Sequence, residues 1–441
     1  MKKIFSIALV IIGIFLIMTA LSACNKNDSN TLKIALDIED RGRYDELFSY
    51  FTEKTGIEVA ATYGEDISKL VGTADEPDII KTSSVVVSSM KGSLVDLTSF
   101  IEADEQVSTD IYLDSIMEAL TIDGKIYALP TSLNTSLLYY NKKLFDVKEQ
   151  ELREAFNLDA SQSVYPKPDW DYDDFVKAGV ILSEYTIKGD KRVYTQFGCE
   201  TQLNWWGEWL VYVYQMGGTF YLPNSNNRVS ALTSEQVIAA TEFFRKKSLG
   251  DEHEKFAPDA IEASSAFSFL NGNVAMILGG HMGDWNSYNT IGLDWDIQLL
   301  PTPVGKPDAV GGEIAADAFG ISARSKKKQV AFEFLKTWAG EEGAKQMYKY
   351  GKVGVLKNME QIINALPEKE QKSIDIGVVF NAIERARTLP NEKDFSKICR
   401  EKVMTEIYKL MYEGRGSEDD VRVVLNRIKE NVDSYYQNLY G

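Results

Sequence analysis

Trp205, Trp206 and Trp209 stand within five residues of one another, in a chain with seven tryptophans among 441 residues. A flat aromatic face covers the apolar C–H face of a ring-shaped, hydroxyl-rich solute. Each large aromatic buries on the order of 150–250 Å², and at about 25 cal/mol per Å² one stacked ring contributes a few kcal/mol before ordering costs. Core packing competes for the same rings. On a helix Trp205 and Trp209 share a face, so at least one tryptophan belongs inside, and Trp205 or Trp206 is expected to reach a solute. Polar partners for hydroxyls stand early in the chain, where Asp40 and Arg41 set an acceptor beside a donor; the plainer reading is a solvated charged loop. Two histidines, His253 and His281, leave no room for a His-rich metal centre. The 65 acidic residues supply chance carboxylate pairs, among them Asp37, Glu208 and Glu313. Glycoside hydrolysis needs two carboxyls at a fixed separation, and nothing in the sequence singles out a pair.

These residues need elements to hold them. Leu32, Ile34, Leu36 and Ile38 alternate with polar or small residues, which predicts a strand, and Tyr44, Leu47, Phe48 and Phe51 then fall at helical spacing before Gly56. Ile57 to Tyr63 reads as a second strand, Ile67 to Val71 as a helix, and Pro77 to Ile80 as a third strand. Strand–helix alternation implies parallel pairing with right-handed crossovers, and ligands of such sheets sit beyond the carboxyl ends of the strands. Asp40 and Arg41 occupy that address. Further on, Leu232 to Lys247 reads as a helix, residues 301–312 as a long Pro/Gly loop, Ala318 to Ile321 as a strand, and Ser325 as the start of another helix. The tail from Glu401 to Tyr440 is mostly helical in pattern. With 44% hydrophobic and 26% charged residues the chain is globular rather than disordered.

At the amino terminus, Lys2 and Lys3 precede an apolar run from Ile4 to Ala20 and then Leu21-Ser22-Ala23-Cys24. Positive flank, apolar centre and small residues make an export signal. Leu-Ser-Ala-Cys resembles the lipobox of bacterial lipoproteins, in which the thiol takes a diacylglycerol and the Cys becomes the first mature residue. The plainer reading is an uncleaved anchor, but the run falls short of the roughly 20 residues a spanning helix needs. Residues 1–23 are thus expected to be a lipoprotein signal peptide and 24–31 a lipidated tether ending in the membrane. The net charge of −17, which becomes −19 once Lys2 and Lys3 are removed, excludes a nucleic-acid partner, since phosphates need neutralising cations. Cys199 and Cys399 remain, as a disulfide or as two buried thiols.

Four segments, in order, make the sequence resemble the family 1 extracellular solute-binding proteins, the maltose-binding-protein-like sugar-binding components of ABC importers. They are the lipobox, DGKIYALPTSLNTSLLYYNKKLFD from Asp123 to Asp146, FLNGNVAMILGG from Phe269 to Gly280, and GISARSKKKQVAFEFLKTW from Gly320 to Trp338. The resemblance implies an α/β, two-lobed periplasmic-binding-protein-like fold of type II. Each lobe would be a mainly parallel sheet flanked by helices, with hinge crossovers and a solute in the cleft. Lobe 1 is expected to comprise 32–134 plus about 291–340, and lobe 2 about 135–290 plus 341–441.

The implied function is that of a monomeric, lipid-anchored substrate-binding protein on the extracytoplasmic face of the bacterial cell membrane. It captures a carbohydrate by cleft closure and hands it to a membrane-embedded ABC permease, with no catalysis and no cofactor. The resemblance also implies site residues: the Asp40–Arg41 loop, the hydroxyls of Ser83 and Ser84 after the third strand, and Asn134 on the way between lobes. His281 and Trp285 follow Gly280, Trp285 as a stacking ring from a shifted position. Glu313 lies where the chain returns to the cleft. The family often places aromatic or acidic groups where Ser83 and Ser84 stand, which leaves the solute class open. The competing readings are a binding protein for a peptide, polyamine or metal, a sensory module feeding a membrane kinase, and, most remotely, an exported glycoside hydrolase.

Overall fold

The computed structural model describes residues 30–440 apart from 65–66, 74, 106, 203–204, 224, 227–228, 251–253, 264–266, 280–284, 371–373 and 414–417. The strands are β1 (Thr31–Leu36), β2 (Glu58–Tyr63), β3 (Ile79–Ser83), β4 (Thr121–Ile122), β5 (Lys125–Ile126), β6 (Leu129–Thr135), β7 (Leu138–Asn141), β8 (Glu184–Lys188), β9 (Lys191–Cys199), β10 (Val274–Leu278), β11 (Trp295–Gln298), β12 (Gly312–Ile321) and β13 (Ala386–Thr388). The helices that matter below are α1 (Asp45–Thr55), α2 (Trp206–Gln215), α3 (Glu235–Leu249), α4 (Lys328–Ala339), α5 (Glu341–Lys349) and α6 (Glu418–Tyr440).

Local patterns become elements for simple reasons. In β1, Leu32, Ile34 and Leu36 are buried while Lys33 between them is exposed. Helix α1 buries Leu47, Phe48 and Phe51, and Gly56 closes it in the left-handed conformation (φ 71°), its N–H bonded to the Thr52 carbonyl. Helix α3 starts at Ser234, whose hydroxyl accepts from the Val237 N–H at 3.4 Å. Every residue of β10 is buried, the signature of a strand covered on both faces.

Two large sheets form. The first runs β13–β12–β3–β1–β2, with β6 also paired to β12; the second runs β11–β7–β10–β9–β8. In the first sheet β1 pairs in parallel with β2 and β3, and β12 with β13. β12 runs antiparallel to both β3 and β6. The second sheet is mixed rather than mainly parallel: only β9 and β10 run together, whereas β7, β11 and β8 oppose their neighbours. The reason is topological, because β7 enters directly from the first sheet and so runs against the strands the second sheet builds for itself.

The chain passes between the sheets at residues 136–137, within 299–311, and after β13. Strand β11 therefore belongs with the second sheet, although residues from about 291 were expected in the first lobe. Conversely, Ala344, Met347, Tyr348, Met359 and Val379 pack into the core under the first sheet, where the second lobe had been expected to hold 341–441. Only from about Leu389 onward does the tail join the second core, with Phe395, Leu425 and Tyr436. Among the described residues no helix is long and apolar enough to cross a membrane.

Candidate functional site

The carboxyl ends of β1 and β3 in one sheet, and of β9 and β10 in the other, open toward the crossover formed by β6 and β12. Strand alternation puts three cross-strand pairs on one face of the β6–β12 ribbon: Ser132 with Asp317, Asn134 with Ala315, and Ser136 with Glu313. Ser132 Oγ donates to Asp317 at 3.1 Å, and Ser136 Oγ donates to the Glu313 carboxyl. Asn134 faces the small Ala315 and is left half-buried, its amide uncommitted to any side chain among the described residues. The ribbon thus carries a polar row from the first lobe to the crossover.

At the first-lobe end this row meets a charge network. Asp317, opposite Ser83 on β3, accepts from Lys352 Nζ at 3.0 Å. Lys81, two residues before Ser83 on the same face, bonds Asp37 and reaches Asp40 at 3.3 Å; Asp40 also accepts from Arg43 and from the Tyr44 hydroxyl, each at 3.3 Å. Three acids thus face three bases. Burial works against the charge on Lys81, but Asp317, Asp40 and Asp37 outweigh it and hold the ammonium's pKa above its ordinary value. Burial likewise disfavours the Asp317 carboxylate, yet Lys352 and Lys81 prevail and its pKa is lowered. Both stay charged.

Glu313 is different. It is 3% exposed, and burial pushes its carboxyl up to about 8 against the pull of hydrogen bonds from Ser136 and the main chain. Its strand neighbour is Arg387 of β13, which lies over the Tyr214 ring at 4.9 Å. Thr135 ties the same turn by donating to the Glu313 carbonyl at 3.0 Å.

From the second lobe, the segment after β9 leads into Trp205 and helix α2. A buried ion pair fixes it. Lys247, 0% exposed, meets Glu208, 1% exposed, and donates to the Glu200 carbonyl at 3.1 Å. Glu208 accepts from the Gln202 N–H at 2.7 Å and from the Tyr212 hydroxyl at 3.2 Å. The three neighbouring tryptophans then separate. Trp209 is wholly buried and donates to Thr241 at 2.9 Å. Trp206 lies edge-on to Phe395 at 5.2 Å and is 8% exposed. Trp205 stays half-buried, its ring over Gly207 and so close to Gly279 that a Cβ there would sit 2.7 Å from Cζ3 and 3.3 Å from Ser136 Oγ. The Trp205 ring, Gly279 and the Ser136–Glu313 pair therefore converge at the crossover.

The residues singled out from the sequence fall into distinct places. Asp40 is buried in the charge network, and Arg41 is exposed with its guanidinium 5.3 Å over the Tyr63 ring. Ser83 turns its hydroxyl to the Val85 N–H at 3.3 Å; Ser84 is buried and bonded to the Ala316 N–H at 3.0 Å. Trp285 is wholly buried, donates to the Tyr139 hydroxyl at 3.0 Å and packs against Trp295. His281 and Cys24 lie outside the described residues. Cys199 and Cys399 are separate, buried free thiols. Sequence reasoning missed Lys81, Ser132, Asp317 and Lys352, and with them Ser136 and the Glu208–Lys247 pair. It also missed the contact between lobes in which the Asp394 N–H donates to Ser89 Oγ at 2.9 Å. Isolated charges in apolar stretches, Glu208 in WGEWLVYVYQ and both Glu313 and Asp317 in GEIAADAFGI, were the available signal. Among the described residues no group of three or more His, Cys, Asp or Glu side chains is placed to hold a metal ion.

Comparison with known proteins adds to this geometry. A family model described as bacterial extracellular solute-binding protein matches residues 46–372. The maltodextrin-binding protein MdxE of Bacillus subtilis is 22% identical over 348 residues, covering 75% of this chain and 72% of that protein. Among solved structures, the ABC substrate-binding protein Lmo0181 from Listeria monocytogenes in complex with cycloalternan superimposes with TM-score 0.75 at 21% identity, over 92% of this chain and 99% of that one. Maltose-bound MalE3 of T. maritima gives 0.68 at 16% identity, over 92% and 100%. UgpB from Mycobacterium tuberculosis, in complex with glycerophosphocholine, gives 0.70 at 16% identity, over 94% and 100%. At these identities the structures establish the two-lobed fold.

Proposed function

The chain belongs to the bacterial extracellular solute-binding proteins, and from that premise we propose that it is the sugar-capturing component of an ABC importer. A mono- or oligosaccharide enters between the lobes, the cleft closes, and the closed arrangement is what a membrane-embedded permease recognises. Cys24 carries the lipid that keeps the protein, a monomer, at the outer face of the membrane.

One observation carries the reading. Of the rings expected to stack, Trp205 alone is both half-buried and set at the crossover beside neutral polar groups; Trp206 and Trp285 are packed inside. A sugar face on Trp205 leaves its hydroxyls to half-buried Asn134 and exposed Arg41, while buried Asp40 stays with its charge network. Micromolar capture needs only about −8 kcal/mol, which one stacked ring and several hydrogen bonds supply. The chain does no chemistry in this reading. Asp37 is paired with Lys81, Glu208 with Lys247, and Glu313 is bonded to Ser136, so the three carboxyls named above as chance candidates each have a structural partner. The bound solutes of these structural neighbours are cycloalternan, maltose and glycerophosphocholine, so the test has to span solute classes.

Thermal-shift screening of the mature protein against mono- and oligosaccharides should raise Tm by mass action. Trp205→Ala should abolish that rise while leaving the apo Tm nearly unchanged, and Trp206→Ala should lower the apo Tm through lost packing on Phe395. A panel in which amino acids, polyamines, peptides or metals shift Tm and no carbohydrate does would overturn the assignment.

A further inference from the structure

We propose that the outer end of the first lobe, around Lys33, Arg324, Lys326, Lys327 and Lys328, is a seat for anionic phospholipid headgroups and orients the anchored protein on the membrane. The inference rests on the lipid-anchor reading of Cys24. A hollow of about 690 Å³ opens there, between the start of β1 and the turn from β12 into α4. It lies at the opposite end of β1 from Asp40, and so away from the cleft.

The chain leaves the fold at the rim of this hollow. β1 begins at Thr31, whose carbonyl accepts from Lys327 Nζ at 2.5 Å. Thr31 stands seven positions after Cys24, and seven fully extended peptide units reach at most ~25 Å. A lipid on Cys24 therefore holds this end of the molecule, and no other, close to the bilayer surface.

The charge of this end opposes that of the body. The whole chain has 48 basic against 65 acidic residues, yet five of the hollow's lining residues are cations and only Glu76 and Asp78 are acids. Both acids are committed to the fold and to one cation each, Glu76 to Arg324 at 3.7 Å and Asp78 to Lys327 at 3.9 Å, which leaves the lining three positive charges in excess. Glu76 accepts from the Gly72 N–H and from Ser322 Oγ, and Asp78 from the Lys33 N–H at 3.0 Å and Ser325 Oγ at 2.6 Å. Lys33, Arg324 and Lys326 are exposed.

The lysines also stand where helix formation alone would not put them. Lys326, Lys327 and Lys328 lead into α4, whose first turn has no acidic residue and whose start has no side-chain cap. Positive charge at a helix amino terminus opposes the helix dipole. A local choice that works against the element it sits in points to a role outside that element. Attraction between such a cluster and an anionic leaflet decays within a Debye length of about 10 Å, so it acts only where a short tether already confines the patch. The remaining acidic surface is repelled, which turns the first lobe's outer end toward the lipid.

The test uses the full lipidated protein in vesicles of phosphatidylcholine, with or without phosphatidylglycerol, and amine-reactive labelling read by mass spectrometry. Labelling of Lys33 and Lys326 should fall by about threefold or more in the anionic vesicles and recover at high salt. Lys191, exposed on the second lobe, should label equally in both. The Lys326→Glu/Lys328→Glu variant, with an apo Tm no lower than the parent's, should lose the protection of Lys33. Equal labelling of vesicle-bound protein in both compositions overturns the proposal. So does protection produced in neutral vesicles by inorganic phosphate, which would make the hollow a site for free anions. If Cys24 proves unlipidated and the protein does not float with vesicles, the anchor reading fails separately. The unanchored chain is then mixed with anionic vesicles at low salt: cosedimentation that the double variant abolishes retains the seat, and none overturns it.

Discussion

Lys247→Met should be among the most destabilising single changes in the second lobe, and its size follows from the geometry. Both members of the Glu208–Lys247 pair are at most 1% exposed, inside a core that includes Trp209, Leu210, Tyr212 and Phe244. Removing one partner of such a pair strands the other charge in an apolar interior, which costs about 3–5 kcal/mol. Glu208 retains the Gln202 N–H and the Tyr212 hydroxyl, so the lower end, about 3 kcal/mol, is expected. Methionine keeps most of the lysine stem's volume, so a cavity adds little. For a cooperative unit of lobe size this is a fall in Tm of roughly 6–12 °C. Urea unfolding followed by tryptophan fluorescence measures it directly. The pair also clamps the Glu200 carbonyl and the Gln202 N–H on the way to Trp205, so the carbohydrate-induced rise in Tm should shrink as well. The double variant Glu208→Gln/Lys247→Met removes both charges and should regain most of the lost stability. A single variant within 1 kcal/mol of the parent, or a double variant as unstable as the single, would refute the argument that an uncompensated buried charge sets the cost.

Two further outcomes are expected. Because the folded chain holds a proton on Glu313 up to about pH 8 that the unfolded chain releases near its ordinary 4.5, the parent should lose stability as pH rises between those values. Glu313→Gln should be spared that loss, gaining ~1 kcal/mol or more on the parent at the alkaline end; urea midpoints that differ equally at acid and alkaline pH would contradict this. Gly279→Ala meets two penalties, a left-handed backbone (φ 71°) and a Cβ 2.7 Å from the Trp205 ring, whereas Gly292→Ala meets only the first, at φ 72° with open space around it. Gly292→Ala should lose about 1–2 kcal/mol of stability and Gly279→Ala more than that, measured by thermal unfolding, and only the Gly279 variant should also lose the carbohydrate-induced shift.

What was legible in the sequence was whatever depends on neighbours within a turn or a strand. The alternation of Leu32, Ile34 and Leu36, the helical spacing of Leu47, Phe48 and Phe51, and Gly56 as a stop all correspond to observed elements. The order of motifs pointed to the two-lobed fold. Assignments that depend on distant partners were not legible. Nothing in Trp295–Gln298 says that it pairs with Leu138–Asn141 across more than 150 residues, so its sheet could not be read locally. The helical stretch after Glu341 was amphipathic, but which core its apolar face met was set by β6 and α1. The three neighbouring tryptophans differ only in three-dimensional company: Thr241 for Trp209, Phe395 for Trp206, Gly207 and Gly279 for Trp205. The charge network was hidden because Lys81, Asp317 and Lys352 meet only once three segments are assembled, although each is a single charge in apolar surroundings.

Strand β12 lies in the middle of the first sheet, bonded to β3, β6 and β13, yet it begins only at Gly312. A ribosome making this chain has therefore completed all five strands of the second sheet before the first can close. Until then the β3 edge has no partner on that side, and the apolar faces of β1 and β3 remain uncovered. Under the proposed signal-peptide reading, a chain exported unfolded would gain from this delay: the amino-terminal part stays loose and threadable while the rest is still being synthesised. It carries a hazard too, because an open edge waiting for a late strand is a template for pairing with another chain. The position of one strand thus links secretion competence to a window of aggregation risk.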